Sequence, residues 1–524
     1  MNPATFAREL TYIKPGGVLF YADDFKFENT RTDVTVYPMP VKKLIKEADV
    51  PSNLRDYIAN MVYVGVVAQM LGIDLDLVYK ALDFHFKGKQ KAIDSNWNIV
   101  KAAADWAAAN LVKTDPYRVA PMNATEGYML AEGNVAAALG AIYGGVQFVG
   151  WYPITPATSL AESLNEYLPI LRKDPETGKN TYAVVQAEDE LAAIGMTIGA
   201  GFSGLRAMTS TSGPGLSLMV EYLGLAYYTE VPCVVWDVQR VGPSTGLPTR
   251  TAQADITFVN FSGHGDTNFP ILFPGSVDEC FEFGWKAFDL AERLQMPVIV
   301  LSDLDLGMNN WMTKKFVYPD KPMDRGKILW EEDLQKMLDE RNGDYGRYLD
   351  IDGDAIPYRT VPGNRHPRSA YFARGTGHDE YTRYSEDPET WERVMDRLAT
   401  KYKNARKYVP EPVVETMPGA KIGILTAGSA GPAVLEARDQ LAAMGIATDY
   451  LRIKALPFTD NVKEFIGAHE RTYVVELNRD GQLKQLLTIE APEYATRLRK
   501  ASHNDGLPLS ARWIREHILS QEEK

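Results

Sequence analysis

Between residues 122 and 320 the chain switches repeatedly between the period of a helix and the apolar run of a strand. In order, the segments read GNVAAALGAIYGG, VQFVGWYPI, SLAESLNEYL, YAVVQAE, DELAAIGMTIGAGFSG, RAMTSTS, LSLMVEYLGLAYYT, VPCVVWDVQR, VDECFEFGWKAFDLAERL and MPVIVLSDL, helix first and strand second throughout. Neighbouring parallel strands need a crossover, and a helix supplies it. Such alternation restricts this stretch to a doubly wound, mainly parallel sheet with helices on its faces. Open sheets of this kind bind ligands beyond the carboxyl ends of their strands. The fold class is multi-domain α/β, and candidate sites are sought where a strand hands over to a helix.

The flanks follow the same logic less strictly. Residues 1–115 read as a smaller α/β unit, with strands in GGVLFYADDF and DVTVYPMP, a long helix in DYIANMVYVGVVAQMLGI and an amphipathic one in DLDLVYKALDFHF. KTDPYRVAPMNATEG, rich in Pro and polar residues, is a linker. Residues 122–320 form the central domain. Residues 321–410 are a polar excursion without clear periodicity until PETWERVMDRLATKYKNARKY, a surface helix. A structureless loop of that length is uncommon, so the excursion is expected to pack on neighbouring surfaces. Residues 411–524 are a further α/β unit, built from AKIGILTAGS, GPAVLEARDQLAAMG, ATDYLRI and RTYVVELN. A length of 524 residues accommodates three or four domains.

Four polar features follow four different strands of the central domain. Thr155, in GWYPITPATS, stands between two prolines. Thr before Pro is a sound helix start, so a capping role competes with a hydroxyl aimed at a ligand. Glu188, Asp189 and Glu190 crowd the start of the next helix, where acids ordinarily favour the dipole but can also face a flat ligand. TSTSGPGLSL opens a helix through Gly213-Pro214-Gly215; it is neither a Walker A nor a GxGxxG motif. Its hydroxyls, Thr209 to Ser212, suit a polar ligand or capping. Arg240 leaves the apolar strand VPCVVWDV and needs an anion. That anion is Asp237, Asp255 or a substrate carboxylate. Thr245, Thr249 and Arg250 add donors on the shaped loop GPSTGLPTR.

Composition narrows the function. Lys+Arg 56 against Asp+Glu 69 gives a net charge of −13, which argues against binding a phosphate backbone while permitting a small anionic substrate. Cys233 and Cys280 are the two cysteines and no CxxC occurs, so neither a disulfide framework nor a four-cysteine iron–sulfur cluster is carried here. The seven histidines are scattered and form no metal motif. The N-terminus lacks the pattern of a signal peptide and no apolar run spans a membrane, so a cytoplasmic protein is expected.

YPITPAT, EDELAAIGMTIGA, TSTSGPGLSLMVE and QRVGPSTGLPTRTAQAD, together with HGDTNFPILFPGSVDECFE and VVELNRDGQLKQLL, resemble the alpha subunit of 2-oxoacid:ferredoxin oxidoreductases, most of all the 2-oxoglutarate (2-ketoglutarate) branch. The resemblance implies a thiamine diphosphate enzyme that oxidatively and reversibly decarboxylates a 2-oxoacid to an acyl-CoA and passes electrons to ferredoxin. It implies a pyrimidine-binding-type domain at 122–320, a transketolase C-terminal-like domain at 411–524 and a gamma-type domain at 1–115. That last domain is expected to correspond only to its later part, because PATFARELTYI stands where a strand and Gly-rich turn open the domain in relatives. A beta subunit is implied, in an (alpha-beta)2 heterotetramer, carrying the Mg2+ and diphosphate site and the [4Fe-4S] cluster. The missing cluster cysteines and the absence of a Gly-Asp-Gly metal motif fit that division.

By the same resemblance, Thr155 and Arg240 hold the substrate carboxylate, Thr249 is a further substrate contact, and Glu190 meets the aminopyrimidine, with Glu188 as the fallback. A carboxyl at that ring nitrogen favours the imino tautomer of the cofactor. The CoA-contacting residues are not assigned. Arg250, Arg452 and Lys454 are the cations considered for a second substrate carboxylate, as 2-oxoglutarate would need. Pyruvate and branched-chain 2-oxoacids are the alternative substrates, and a non-catalytic α/β binding or scaffold subunit is the alternative of another class.

Overall fold

The structure is a computed structural model that describes residues 6–27, 29–48 and 54–522. The chain divides into two compact units, Met1–Glu126 and Gly127–Lys524. No helix among the described residues is long and apolar enough to cross a membrane.

In the first unit, β1 (Val18–Ala22) and β2 (Thr35–Met39) pair in parallel. The expected long helix is two, Arg55–Ile58 and Asn60–Leu71, interrupted at Ala59. Helix Leu75–Phe86 is capped by Asp74, whose side chain accepts from the Asp76 amide. Helix Gln90–Asn110 was not anticipated. Its buried stripe joins Ile93, Ile99 and Val100 to Ala103, Ala104 and Ala107, and the alanines carry little of the apolar contrast that marks a helix in sequence. The helix-like opening falls on Phe6–Tyr12, with its first residues outside the described range.

The second unit holds β3 (Tyr128–Ala131), β4 (Phe148–Trp151), β5 (Ala183–Gln186), β6 (Ala207–Thr211), β7 (Cys233–Gln239), β8 (Ile271–Leu272), β9 (Pro297–Asp303) and β10 (Trp311–Lys314). It continues with β11 (Val413–Glu415), β12 (Ile422–Ala427), β13 (Thr448–Ile453), β14 (Ala455–Leu456), β15 (Arg471–Glu476) and β16 (Leu498–Ser502). The main sheet has the order β14-β8-β9-β7-β6-β4-β5 and is parallel except at β14. Every residue of β6, β7 and β9 is buried, as helices on both faces require of the middle of a parallel sheet. Helices Gly133–Tyr143 and Val277–Leu294 cross closely, because a Cβ at Gly140 would collide with the Phe281 carbonyl. A second sheet, β11-β13-β12-β15-β16, is parallel apart from β11.

The excursion after β10 is bolted down by charge. Glu230 is fully buried; Lys401 donates to its carboxylate at 2.6 Å, Arg397 forks onto the same group, and Arg347 donates to its backbone carbonyl at 3.0 Å. Burial pushes the Glu230 carboxyl up, but the neighbouring Arg397 and Lys401 outweigh it and hold it down to about 2. Lys401 lies on helix Pro388–Asn404, so the expected surface helix anchors the segment through one buried face. An additional helix, Glu331–Glu340, lies within the excursion.

Candidate active site

The strand order places β7, β6, β4 and β5 side by side, so the four polar features line one edge of one sheet. Thr155 follows β4, Glu190 follows β5, Gly213 follows β6 and Arg240 follows β7.

Thr155 does not cap a helix. The helix runs Thr158–Leu171 with Ala157 in the cap position, and the Thr155-Pro156 peptide is cis. The hydroxyl of Thr155 is on an exposed residue and makes no hydrogen bond among the described residues. Two groups hold its backbone instead. Arg240 Nη1 donates to the Thr155 carbonyl at 2.7 Å, and Asn134 Nδ2 donates to the Pro156 carbonyl at 2.9 Å and to Ser159 Oγ at 2.8 Å. Asn134 is buried at the start of helix Gly133–Tyr143 and has no counterpart in the sequence reading. A polar residue in an otherwise small and apolar helix was its one signal.

The three acids after β5 divide their work. Asp189 caps the helix, accepting from the Ala192 amide at 2.7 Å. Glu188 is exposed, whereas Glu190 turns inward and is buried. Glu190 makes no hydrogen bond or ion pair among the described residues, although burying a carboxylate without a partner is costly. It lies across Gly215, in the first turn of helix Gly213–Tyr228: a Cβ there would stand 2.7 Å from Glu190 Oε1 and would collide with Thr211 Oγ1. Gly215 thus lets an acid from one helix start reach the next. The hydroxyls of Thr209, Ser210 and Ser212 are buried without partners, so they do not face an open crevice.

Arg240 is 7% exposed and takes neither internal anion that the sequence offered as an ion-pair partner. Its Nε has no partner, and its one protein hydrogen bond is to Thr155. Both carboxylate oxygens of Asp237 and Oδ2 of Asp255 are buried without a hydrogen-bond partner. Burial, then the charge of Asp255, pushes Asp237 well above the carboxylate range. Burial also pushes Asp255 up, to about 6, against the lowering influence of Asp237 and of the Arg240 charge.

Thr249 sits on the loop after β7, exposed, with no hydrogen bond to Thr155, Glu190 or Arg240. That loop closes on itself through Leu247, whose amide donates to the Val241 carbonyl at 3.0 Å; at Gly246 a Cβ would collide with that carbonyl. Arg250 is exposed on the same loop. Arg452 and Lys454 are not available for a substrate: Arg452 forks onto Glu279 at 2.6 and 2.8 Å and Lys454 reaches it at 3.1 Å.

A stability measurement separates these roles. Asn134→Ala is expected to cost about 1–3 kcal/mol in urea unfolding, because it strands buried polar partners. Thr155→Val, which loses no cap, is expected to leave the unfolding midpoint unchanged; a loss comparable to that of Asn134→Ala would restore the capping role.

The chain is similar to several known proteins. A family model described as "Pyruvate flavodoxin/ferredoxin oxidoreductase, thiamine diP-bdg" matches residues 139–325, and one described as "Pyruvate ferredoxin/flavodoxin oxidoreductase" matches residues 1–106. The 2-oxoacid:ferredoxin oxidoreductase 2, subunit alpha, of Aeropyrum pernix is 34% identical over 442 residues, 82% of this chain and 66% of that protein. The 2-oxoglutarate synthase subunit KorA of Methanothermobacter marburgensis is 36% identical over 68% of this chain and 88% of its own length. A solved structure, 2-oxoglutarate:ferredoxin oxidoreductase from Magnetococcus marinus with 2-oxoglutarate, coenzyme A and succinyl-CoA bound, superposes with a TM-score of 0.86 at 31% identity, covering 99% of this chain and 87% of that one. The chain spans about three fifths to two thirds of the length of the first archaeal alpha subunits it matches. With that likeness joined to a partnerless buried glutamate and an arginine-held threonine on one sheet edge, the chain belongs to the 2-oxoacid:ferredoxin oxidoreductase alpha-subunit family.

Proposed function

We propose that this chain is the alpha subunit of a 2-oxoglutarate:ferredoxin oxidoreductase, which converts 2-oxoglutarate and CoA to succinyl-CoA and CO2 and passes the electrons to ferredoxin, reversibly. The observation that carries the reading is Glu190: a buried acid without a protein partner, whose carboxyl passes over Gly215, where any side chain would collide with it. These residues fit the pyrimidine of thiamine diphosphate. When bound, that cofactor supplies the nucleophile and the electron sink for decarboxylation. Glu190 holds a proton at the pyrimidine nitrogen. Arg240 and Thr155 orient the 2-oxoacid: the guanidinium keeps donors free beyond its bond to Thr155, and the hydroxyl stands on the same loop. A charge-assisted contact from a water-poor crevice is a strong form of carboxylate recognition.

The diphosphate site with its Mg2+, and the [4Fe-4S] cluster, are assigned to a beta subunit in an (alpha-beta)2 assembly in the cytoplasm. This chain's two cysteines are both buried in its hydrophobic core, which supports placing the cluster's ligands on another chain. Thr249 is assigned to the substrate side through its loop. With Arg452 and Lys454 committed to Glu279, Arg250 is the cation left to read a second carboxylate. The same commitment favours a second reading, a pyruvate or branched-chain enzyme that needs no such cation.

The test is CoA- and viologen-coupled activity of the purified two-chain complex across a panel of 2-oxoacids. A brown complex with its highest kcat/KM on 2-oxoglutarate is expected. Higher kcat/KM on pyruvate or a branched-chain acid moves the assignment to the second reading. A colourless chain that functions alone sinks both.

A further inference from the structure

The second sheet has a ligand crevice of its own, and a residue of the central domain fills it. Strand β12 stands between β13 and β15, and the chain runs from β12 to β13 on one side before it crosses to β15 on the other. Such a reversal opens a crevice beyond the carboxyl ends of β12 and β15, where sheets of this kind take their ligands. Ala427 ends β12, and Leu477 follows β15. Gln253, which is buried, joins the two ends. Its amide donates to the Leu477 carbonyl at 2.8 Å, and its Nε2 donates to the Ala427 carbonyl at 3.1 Å. Its own carbonyl accepts from Asn478 Nδ2 at 3.0 Å. Gly428 follows β12 at a φ of +62°, and a Cβ there would stand 2.7 Å from Gln253 Nε2.

Gln253 belongs to the returning arm of the loop that leaves β7, and both of its flanks are pinned as well. On one side, Thr251 Oγ1 donates to Asp303 Oδ1 at 3.3 Å, and Ser429 Oγ, from the turn after β12, donates to Oδ2 of the same carboxylate at 2.5 Å. On the other side, Gln482 clasps the chain from the start of helix Gln482–Glu490. Its Nε2 donates to the Ala254 carbonyl at 2.7 Å, and its Oε1 accepts from the Thr257 amide at 2.9 Å. The crevice is thus a socket for backbone. The outgoing and returning arms of the loop meet where the Val241 amide donates to the Arg250 carbonyl at 3.1 Å. Thr249 stands one residue before that bond, in the exposed stretch 242–250. Its place relative to Arg240 is therefore set by one backbone bond and by the socket. Fixing such a loop before a ligand arrives lowers the ordering cost of binding.

We propose that Gln253 is a positioning residue for the 2-oxoacid: seated in the crevice of the second sheet, it fixes the returning arm of the loop and so holds Thr249 in place for the substrate. The C-terminal domain then serves substrate binding without touching the substrate. The proposal rests on the assignment of Thr249 to the substrate side. A purely adhesive Gln253 would tie the two sheets together through the same bonds, so a loss of stability is common to both roles. Dependence of its effect on Thr249 belongs to the positioning role alone.

The test is a double-mutant cycle on KM for the preferred 2-oxoacid in the two-chain holoenzyme. Thr249→Ala is expected to raise KM on the order of tenfold, the loss of a hydrogen bond to a charged group. Gln253→Ala is expected to raise KM roughly three- to tenfold with kcat nearly kept, within the range of coupling between residues that act together. In the Thr249→Ala background, Gln253→Ala is expected to add nothing to KM, while its loss in melting temperature persists in both backgrounds. If Thr249→Ala raises KM and Gln253→Ala leaves it at the wild-type value, or if the two effects multiply, the positioning role falls and the assignment of Thr249 stands. A wild-type KM in Thr249→Ala overturns that assignment and the positioning role with it. Hydrogen exchange of the holoenzyme gives a readout without turnover. The amides of Leu247 and Arg250, bonded across the base of the loop, are expected to exchange faster in Gln253→Ala, and exchange at the wild-type rate overturns the proposal. Gln482→Met keeps the volume of the side chain but loses its clasp on Ala254 and Thr257. It is expected to show the same pattern more weakly, and it decides by the same criteria where Gln253→Ala does not assemble.

Discussion

Replacing Glu190 with glutamine is expected to lower kcat by roughly 10²- to 10⁴-fold, the span of a positioned acid–base group, with little change in KM for the 2-oxoacid. The amide keeps the size of the side chain and can still hydrogen-bond, but it cannot hold or give up the proton at a ring nitrogen. Stability is expected to move the other way. Glu190 has no protein hydrogen bond or ion pair to lose, so the melting temperature is expected to equal or exceed that of the wild type. That opposition separates a functional carboxylate from a structural one. A variant that turns over like the wild type would move the role to Glu188, which is exposed and whose own Gln variant is expected to be silent.

Arg240→Ala is expected to raise KM for the 2-oxoacid while leaving thiamine diphosphate affinity nearly intact. A charge-assisted contact of this kind is worth about 1.5–3 kcal/mol, on the order of 10- to 150-fold in KM. The substitution also frees the Thr155 carbonyl, so the hydroxyl that shares the substrate loses its anchor. Arg240→Lys is expected to recover only part of the loss, because one ammonium does not reproduce a planar fork that serves a backbone carbonyl and a carboxylate together. An unchanged KM in Arg240→Ala would remove this residue from the substrate side.

The central alternation was legible because parallel strands buried on both faces must be apolar throughout, as in VPCVVWDVQ, and the helices between them keep a separate period. The strand-to-helix junctions were legible for the same reason, as the places where each apolar run ends. What failed were statements about what a junction residue touches. Thr155-Pro156 has the local pattern of a helix start, yet the helix begins three residues after the threonine, and Ala157, not Thr155, fills the cap position. Arg452 and Lys454 looked free because Glu279, their partner, is far away along the chain on a helix of the central domain. Helix Gln90–Asn110 is harder to read because three of its buried residues are alanines, although Ile93, Ile99 and Val100 share the stripe.

By itself the sequence determined the class of fold and the residue types that stand at the carboxyl ends of neighbouring strands, since these follow from local periodicity and from polar residues placed at strand ends. Only the tertiary structure decided which acid turns inward, that Arg240 spends one donor on Thr155 and leaves others unused, and that neither Asp237 nor Asp255 forms an ion pair with Arg240. The physical reason is that burial and hydrogen bonding are properties of neighbours in space. Glu188 and Glu190 are chemically alike and two residues apart, and what distinguishes them is Gly215, contributed by the helix that follows another strand.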